Sequence, residues 1–193
     1  MKPIPAHLIL IFLFLNHLSL AQQMPLDFSD PTENFSSFGG SSFSLSTDPE
    51  NPSNEVGQFF NDGSFYWQGF YLDLQRAIDL DFQNTISLSF YGFDPNAHTV
   101  LIKLENGQNP DVEVSQNIPA GGGWTNNVVF DFSQAVLSND GTPVNATGEY
   151  SKLVVFIDGG VTTAGTYLLD NIDDGSTEVN LNEIDVEYTN LVW

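Results

Sequence analysis

Short runs in which apolar and polar residues alternate recur along the chain, each closed by Asn, Asp, Gly or Pro. In "TISLSF", Ile86, Leu88 and Phe90 point one way and Ser87 and Ser89 the other. In "TVLIKLE", Val100, Ile102 and Leu104 oppose Leu101 and Lys103. A period of two is the mark of a strand with one face buried. The same signals predict strands at 42–46, 55–60, 67–72, 85–91, 99–105, 111–118, 126–132, 153–157 and 166–171. Short antiparallel strands with turn-rich links favour an all-β, two-sheet antiparallel β-sandwich, a jelly roll. Helix signals are nearly absent. Only "QRAIDL", residues 75–80, suits a turn of helix, and no internal repeat is visible.

The opening segment has a different character. Lys2 gives it a positive start, 8–15 is apolar, and Ser19-Leu20-Ala21 supplies a small-x-small end. Such a segment reads as a secretory signal peptide, 1–21, cleaved after Ala21. Its apolar run is too short to span a bilayer. The chain contains no Cys, which excludes a lipidated cysteine and leaves the core to hold the fold without disulfides. The rest suits one domain, 22–172, followed by a linker or edge strand at 173–193. Without Lys2, three basic residues, Arg76, Lys103 and Lys152, face 25 acidic ones. That balance argues against nucleic acid, anionic membranes and sulfated or uronic polysaccharides as partners. A neutral ligand or a cation remains.

Seven motifs occur in a telling order: "PLDFSD", "NFSSFGG", "YWQGFYLDL", "LIKLENG", "GGWTNNVVFDFS", "LVVFIDGG" and "YLLDNI". Together they resemble the jelly-roll modules that stand beside glycanase domains in secreted, Bacteroidetes-type laminarinases. Those modules are similar to carbohydrate-binding module families 4 and 22, with the galactose-binding-like fold. The resemblance runs from Pro25 to Ile172. It implies a secreted, non-catalytic carbohydrate-binding module for a neutral β-glucan such as laminarin, directing a tethered or partner hydrolase to its polymer. It also implies a structural Ca2+ joining the first strand to the last, held by Asp27 and Asp170 with backbone carbonyls. Oxygen ligands in irregular geometry suit calcium. One departure bears on that site: Ser29 stands where the family has Glu, so one ligand is missing unless Asp30 replaces it.

Sugar binding needs flat aromatic faces against pyranose C–H groups, with amides and carboxylates nearby to take the hydroxyls. In "FYWQGFYLDL", alternation puts Tyr66, Gln68, Phe70 and Leu72 on one face and Trp67, Gly69, Tyr71 and Asp73 on the other. Phe70 and Leu72 suit a core. Trp67, Tyr71 and Asp73 are therefore the expected ligand-facing set, with Gly69 leaving room for a sugar near the backbone. Trp124, after "AGGG", is a further candidate platform, although the resemblance implies that it closes the end of the sandwich. His98, in "DPNAHT", is expected to be exposed.

The string "EIDVE" near the end aligns Glu183, Asp185 and Glu187 on one face of a strand. It resembles the catalytic signature of family-16 glycoside hydrolases, in which paired carboxylates act as nucleophile and acid. Everything before Ile172 is already assigned to a sandwich, so little chain is left to build a cleft around these acids. The final "TNLVW" resembles the opening of a family-16 catalytic domain, which implies the front of a longer enzyme. Three classes thus stand side by side: a binding module, a catalytic glycanase and a structural adhesion module.

Overall fold

The alternation that dominates the sequence forms two antiparallel sheets. The computed structural model describes residues 24–176; the leading apolar segment and the acidic string at 183–187 lie outside them. The strands are β1 (Ser36–Phe38), β2 (Ser41–Thr47), β3 (Glu55–Asp62), β4 (Gly69–Asp79), β5 (Thr85–Gly92), β6 (His98–Glu105), β7 (Val112–Ile118), β8 (Gly123–Asp131), β9 (Ala135–Leu137), β10 (Pro143–Val144), β11 (Glu149–Ile157) and β12 (Ala164–Asp173). A 3-10 turn over Phe132–Gln134 precedes β9. The larger sheet runs β1-β4-β11-β6-β7-β9-β10 and the smaller β2-β3-β12-β5-β8. All nine strands read from the sequence have counterparts. The three not foreseen, β1, β9 and β10, are two or three residues long and carry too few residues to show a period.

Inward rows from both sheets close one core. Phe70, Leu72, Leu74 and Ile78 of β4 meet Ile86, Leu88 and Phe90 of β5, all buried. Phe59 lies at an aromatic centre, its ring 4.7 Å from Phe70, 5.1 Å from Phe43 and 5.2 Å from Phe35. Burying each such side chain stabilises the fold by about 1.5–3 kcal/mol, which is how a disulfide-free sandwich holds together.

"QRAIDL" is not helical. Residues through Asp79 extend β4, and among the described residues no α-helix occurs. Leu74 and Ile78 keep the inward alternation, and Arg76 between them meets Asp174, which is 2% exposed, at 3.1 Å. A partner 98 residues away makes an inward Arg tolerable. Some buried apolar residues stand apart from the core: Val56, Leu101, Val154 and Leu168 are covered yet do not join the central cluster. By strand register, Leu101 and Val154 lie on the outer face of the larger sheet and Leu168 on that of the smaller, where aromatic side chains also gather.

Candidate functional site

Four residues singled out in the sequence for sugar binding fall on two opposite faces. Trp124 stands on the outer face of the smaller sheet, paired in register with Tyr91 of β5. Their rings meet edge to face at 5.3 Å, and Phe93 extends the row at 5.0 Å from Tyr91. The indole is held by a hydrogen bond: Trp124 Nε1 donates to Asp48 Oδ1 at 3.0 Å. Burial opposes charge on the Asp48 carboxyl, but the hydrogen bonds from Trp124, Glu50 and their neighbours win and hold it below the usual range. Trp124 thus serves neither as an end plug nor as core filler. It forms one wall of a depression of about 360 Å³ whose other walls include Asn54, Asn126, Ser89 and Asp170. An aromatic wall with amides and carboxylates opposite is the surface a polyol requires.

Trp67, Tyr71 and Asp73 lie together on the outer face of the larger sheet, with Phe70 and Leu72 turned into the core. Trp67 is 54% exposed and packs edge to face on Phe156 at 5.5 Å. Phe38 bridges Phe156 and Tyr71 at 5.7 and 6.4 Å. Lys152 Nζ lies 4.7 Å over the Tyr71 ring and 3.3 Å from Asp73 Oδ1. One expectation is corrected here. Gly69 leaves no gap for a sugar: a Cβ there would come within 2.5 Å of the Phe38 ring and 2.8 Å of Phe156. Its missing side chain makes room for the Phe38 and Phe156 rings, which meet edge to face.

The residues expected to hold calcium converge only in part. Leu26 pairs with Ile172, so the first segment does reach the last strand. Asp27 and Asp170 are close enough to repel, and burial first, then that repulsion, pushes the Asp170 carboxyl up, against hydrogen bonds from Asn54 and Asn171. Asp30, the replacement considered for the missing Glu, uses Oδ1 to cap its own turn, accepting from Thr32 N and Thr32 Oγ1 at 2.8 Å. Glu33, unremarked in the sequence, reaches back to the Phe28 N–H. Burial, with Asp27, Asp30 and Asp170 nearby, pushes its carboxyl up to about 7, the Phe28 hydrogen bond pulling the other way. These hard oxygens fit calcium in kind. Among the described residues, however, no three acidic, His or Cys side chains are spaced to hold a metal, so carbonyls would have to complete a shell.

His98 is buried, contrary to the expectation of an exposed loop residue. Its Nδ1 lies 2.9 Å from Asp158 Oδ2, which also accepts from Tyr167 Oη at 2.9 Å, while Asp158 Oδ1 accepts from Thr99 N. A carboxylate only accepts, so the ring proton belongs on Nδ1. Nε2 is left without a hydrogen-bond partner, Asp94 Oδ1 standing 3.4 Å away.

Among solved structures the chain is similar to an exo-β-agarase, with a TM-score of 0.57 and 11% identity over 79% of this chain and 25% of that one. It is also similar to the family 11 carbohydrate-binding module from Clostridium thermocellum in complex with a β-1,3-1,4-mixed-linked tetrasaccharide, at a TM-score of 0.51 and 16% identity over 76% and 90%. The module CBM28, specific for non-crystalline cellulose, aligns at 0.54 and 12% identity over 78% and 92%. The shared fold is that of carbohydrate-binding modules. The chain spans a quarter of the agarase but nearly the whole of each module. Neither a protein-family model nor a curated protein matches the sequence.

Proposed function

We propose that this chain is a non-catalytic carbohydrate-binding module for a neutral β-glucan, binding through the outer face of the smaller sheet. The observation that carries the reading is the Trp124 indole, locked by Asp48 and joined to Tyr91 above a depression lined by amides. Apolar sugar faces stack on the rings while hydroxyls bond to Asn54, Asn126 and Ser89. A ring held in place before the ligand arrives loses little entropy on binding. The two small modules of similar fold have a mixed-linkage glucan and cellulose as their ligands, which supports a β-glucan here. The strongly acidic composition supports a neutral polymer over a sulfated one.

A secreted module of this kind concentrates a tethered or partner hydrolase on its polysaccharide, an effective-concentration effect without chemistry of its own. The family-16 signatures near the end of the chain, and the laminarinase resemblance, make such a hydrolase the natural partner. Among the described residues no helix is long and apolar enough to cross a membrane.

Affinity electrophoresis in gels of laminarin, lichenan, xylan and agarose tests the reading. Retardation is expected in the β-glucan gels, and Trp124→Ala should weaken it by about 2 kcal/mol, on the order of 30-fold in Kd. Unretarded migration in all four gels would point to an adhesion module, and hydrolysis of the glucan by the chain to a glycanase.

Calcium belongs to the same proposal, with Asp27 and Asp170 as the side chains that would hold it and backbone carbonyls completing the shell. Metal bound at a hundred times its Kd stabilises by about 2.7 kcal/mol. Adding EGTA should then lower Tm by roughly 5–10 °C, and excess Ca2+ should restore it. An unchanged Tm would remove the metal from the account.

A further inference from the structure

His98 is the one histidine among the described residues, and sugar binding at the Trp124 face makes no use of it. The residue is 5% exposed, and its ring is held firmly from one side. Nδ1–H donates to Asp158 Oδ2 at 2.9 Å, and Asp158 is itself fixed by Thr99 N and Tyr167 Oη, each at 2.9 Å. That tautomer leaves a lone pair on Nε2, which is buried and bonded to nothing. Asp94 Oδ1 stands 3.4 Å from it. A carboxylate only accepts, so two acceptors face each other, and a cation between them reconciles the pair.

The separation tells a proton from a metal. A proton shared by imidazole and carboxylate draws the two atoms to about 2.7–2.9 Å. A tetrahedral zinc ion, about 2.0–2.1 Å from nitrogen and 2.0–2.2 Å from oxygen, holds two such ligands about 3.4 Å apart. The far side of the ring agrees. A histidine that binds metal gives its other N–H to a carboxylate, which fixes the tautomer and strengthens the ligand. Imidazole beside carboxylate suits Zn2+ better than Ca2+ or Mg2+. There is also room and a way in. His98, Asn96 and Gly122 line a cavity of about 10 Å³, space for roughly one water molecule, and the Asp94 side chain is 44% exposed. A Cβ on Gly122 would come within 3.0 Å of Asp94 O and 3.3 Å of Gly92 O, so this wall closes only over glycine. A net charge of −21 draws cations to the surface.

We infer that His98 Nε2 and Asp94 Oδ1 are two ligands of a zinc site, with Asp158 orienting the imidazole. Water or neighbouring carbonyls complete the tetrahedron. Two side chains where structural zinc sites have four give a Kd on the order of 10–100 μM. Asp94 follows Phe93, the third ring of the Trp124 row, so the ion ties the turn that carries this ring to the start of β6. The inference rests on the fold and is independent of the sugar ligand.

Isothermal titration of the full chain with ZnCl2, at mildly alkaline pH and with Ca2+ in excess, tests the site beside NMR of nitrogen-labelled imidazole. Zinc should bind, move the Nε2 resonance of His98 while Nδ1 keeps its proton, and raise Tm. Asp94→Ala should weaken this binding by more than about tenfold, and His98→Gln should abolish it. Thermal melts without zinc check that each variant folds; if His98→Gln does not, Asp94→Ala and the Nε2 resonance decide. A titration without heat, or one unchanged in Asp94→Ala, overturns the site. So does an Nε2 that carries a proton and is unmoved by Zn2+, which gives the gap to the proton and leaves His98 and Asp94 an ion pair. Retardation in the glucan gels is read separately, so the failure of either idea leaves the other standing.

Discussion

Phe59→Ala is expected to lower the unfolding free energy by about 4 kcal/mol, near the top of the range for a buried aromatic cut to a methyl. Two features put it there. Phe59 is fully buried on the inward face of β3, and its ring touches four other rings from three segments: Phe28 and Phe35, Phe43, and Phe70. Those neighbours come from both sheets and from the segment before β1, so no single one can move in to fill the space without breaking its own contacts. Edge-to-face aromatic pairs add about 0.5–1.5 kcal/mol beyond buried area, and several vanish at once. A loss of that size in a domain of this length should lower Tm by roughly 10–15 °C. Phe82→Ala is the control, because Phe82 is 80% exposed and its removal should change stability by no more than about 0.5 kcal/mol. Equal effects in urea denaturation would mean that Phe59 does not anchor the two sheets.

Phe59 also marks what could be read from the sequence. Alternation in "EVGQFFND" already separates Phe59 from Phe60, and the structure buries the first and leaves the second partly exposed. The same rule set Phe70 and Leu72 against Trp67, Tyr71 and Asp73, and it held because both β4 neighbours constrain that register. It was available for Tyr91 as well: in "ISLSFYG" that residue shares the side of Ser87 and Ser89, opposite Phe90, yet it reads in isolation as one more strand aromatic. Only the pairing of Tyr91 with Trp124, more than thirty residues apart, turns two aromatics into a wall. The exposed reading of His98 failed for a related reason, and Arg76 shows the same physics. Each looks solvent-seeking in its own segment, and each is answered by a carboxylate far along the chain, Asp174 and Asp158. Local pattern predicts which face a side chain takes; it does not predict the distant partner that makes an unlikely face affordable. Glu33 belongs with these, since only the approach of the first segment to β12 puts it beside Asp170.

Asp158→Ala should be the most damaging polar substitution, at about 4 kcal/mol, because it strips acceptors from three donors at once. Thr99 N, Tyr167 Oη and His98 Nδ1 all bond to this one carboxylate, and the last two belong to buried side chains that water cannot readily reach. Each donor left unpaired costs about 1–3 kcal/mol. Asp158→Asn keeps the shape and one acceptor oxygen but turns an amide N–H₂ toward a donor, so roughly half the loss is expected. The alkaline limb of stability gives a separate signature. Burial first, then the charge of Asp158 and its hydrogen bond, pushes the Tyr167 hydroxyl well above the ordinary tyrosine range. A folded-state value above the unfolded one means that the native protein holds this proton more tightly. The resulting stability is complete below the unfolded tyrosine value of about 10 and drains away as pH rises through the folded value. Urea midpoints taken from pH 8 to 11 should therefore fall with pH in the wild type. In Asp158→Ala the fall should be shallower, since the charge that helped hold the proton is gone while the burial remains. Parallel slopes in the two proteins would show that Asp158 does not govern Tyr167, and the network would then be reduced to hydrogen bonds of ordinary strength.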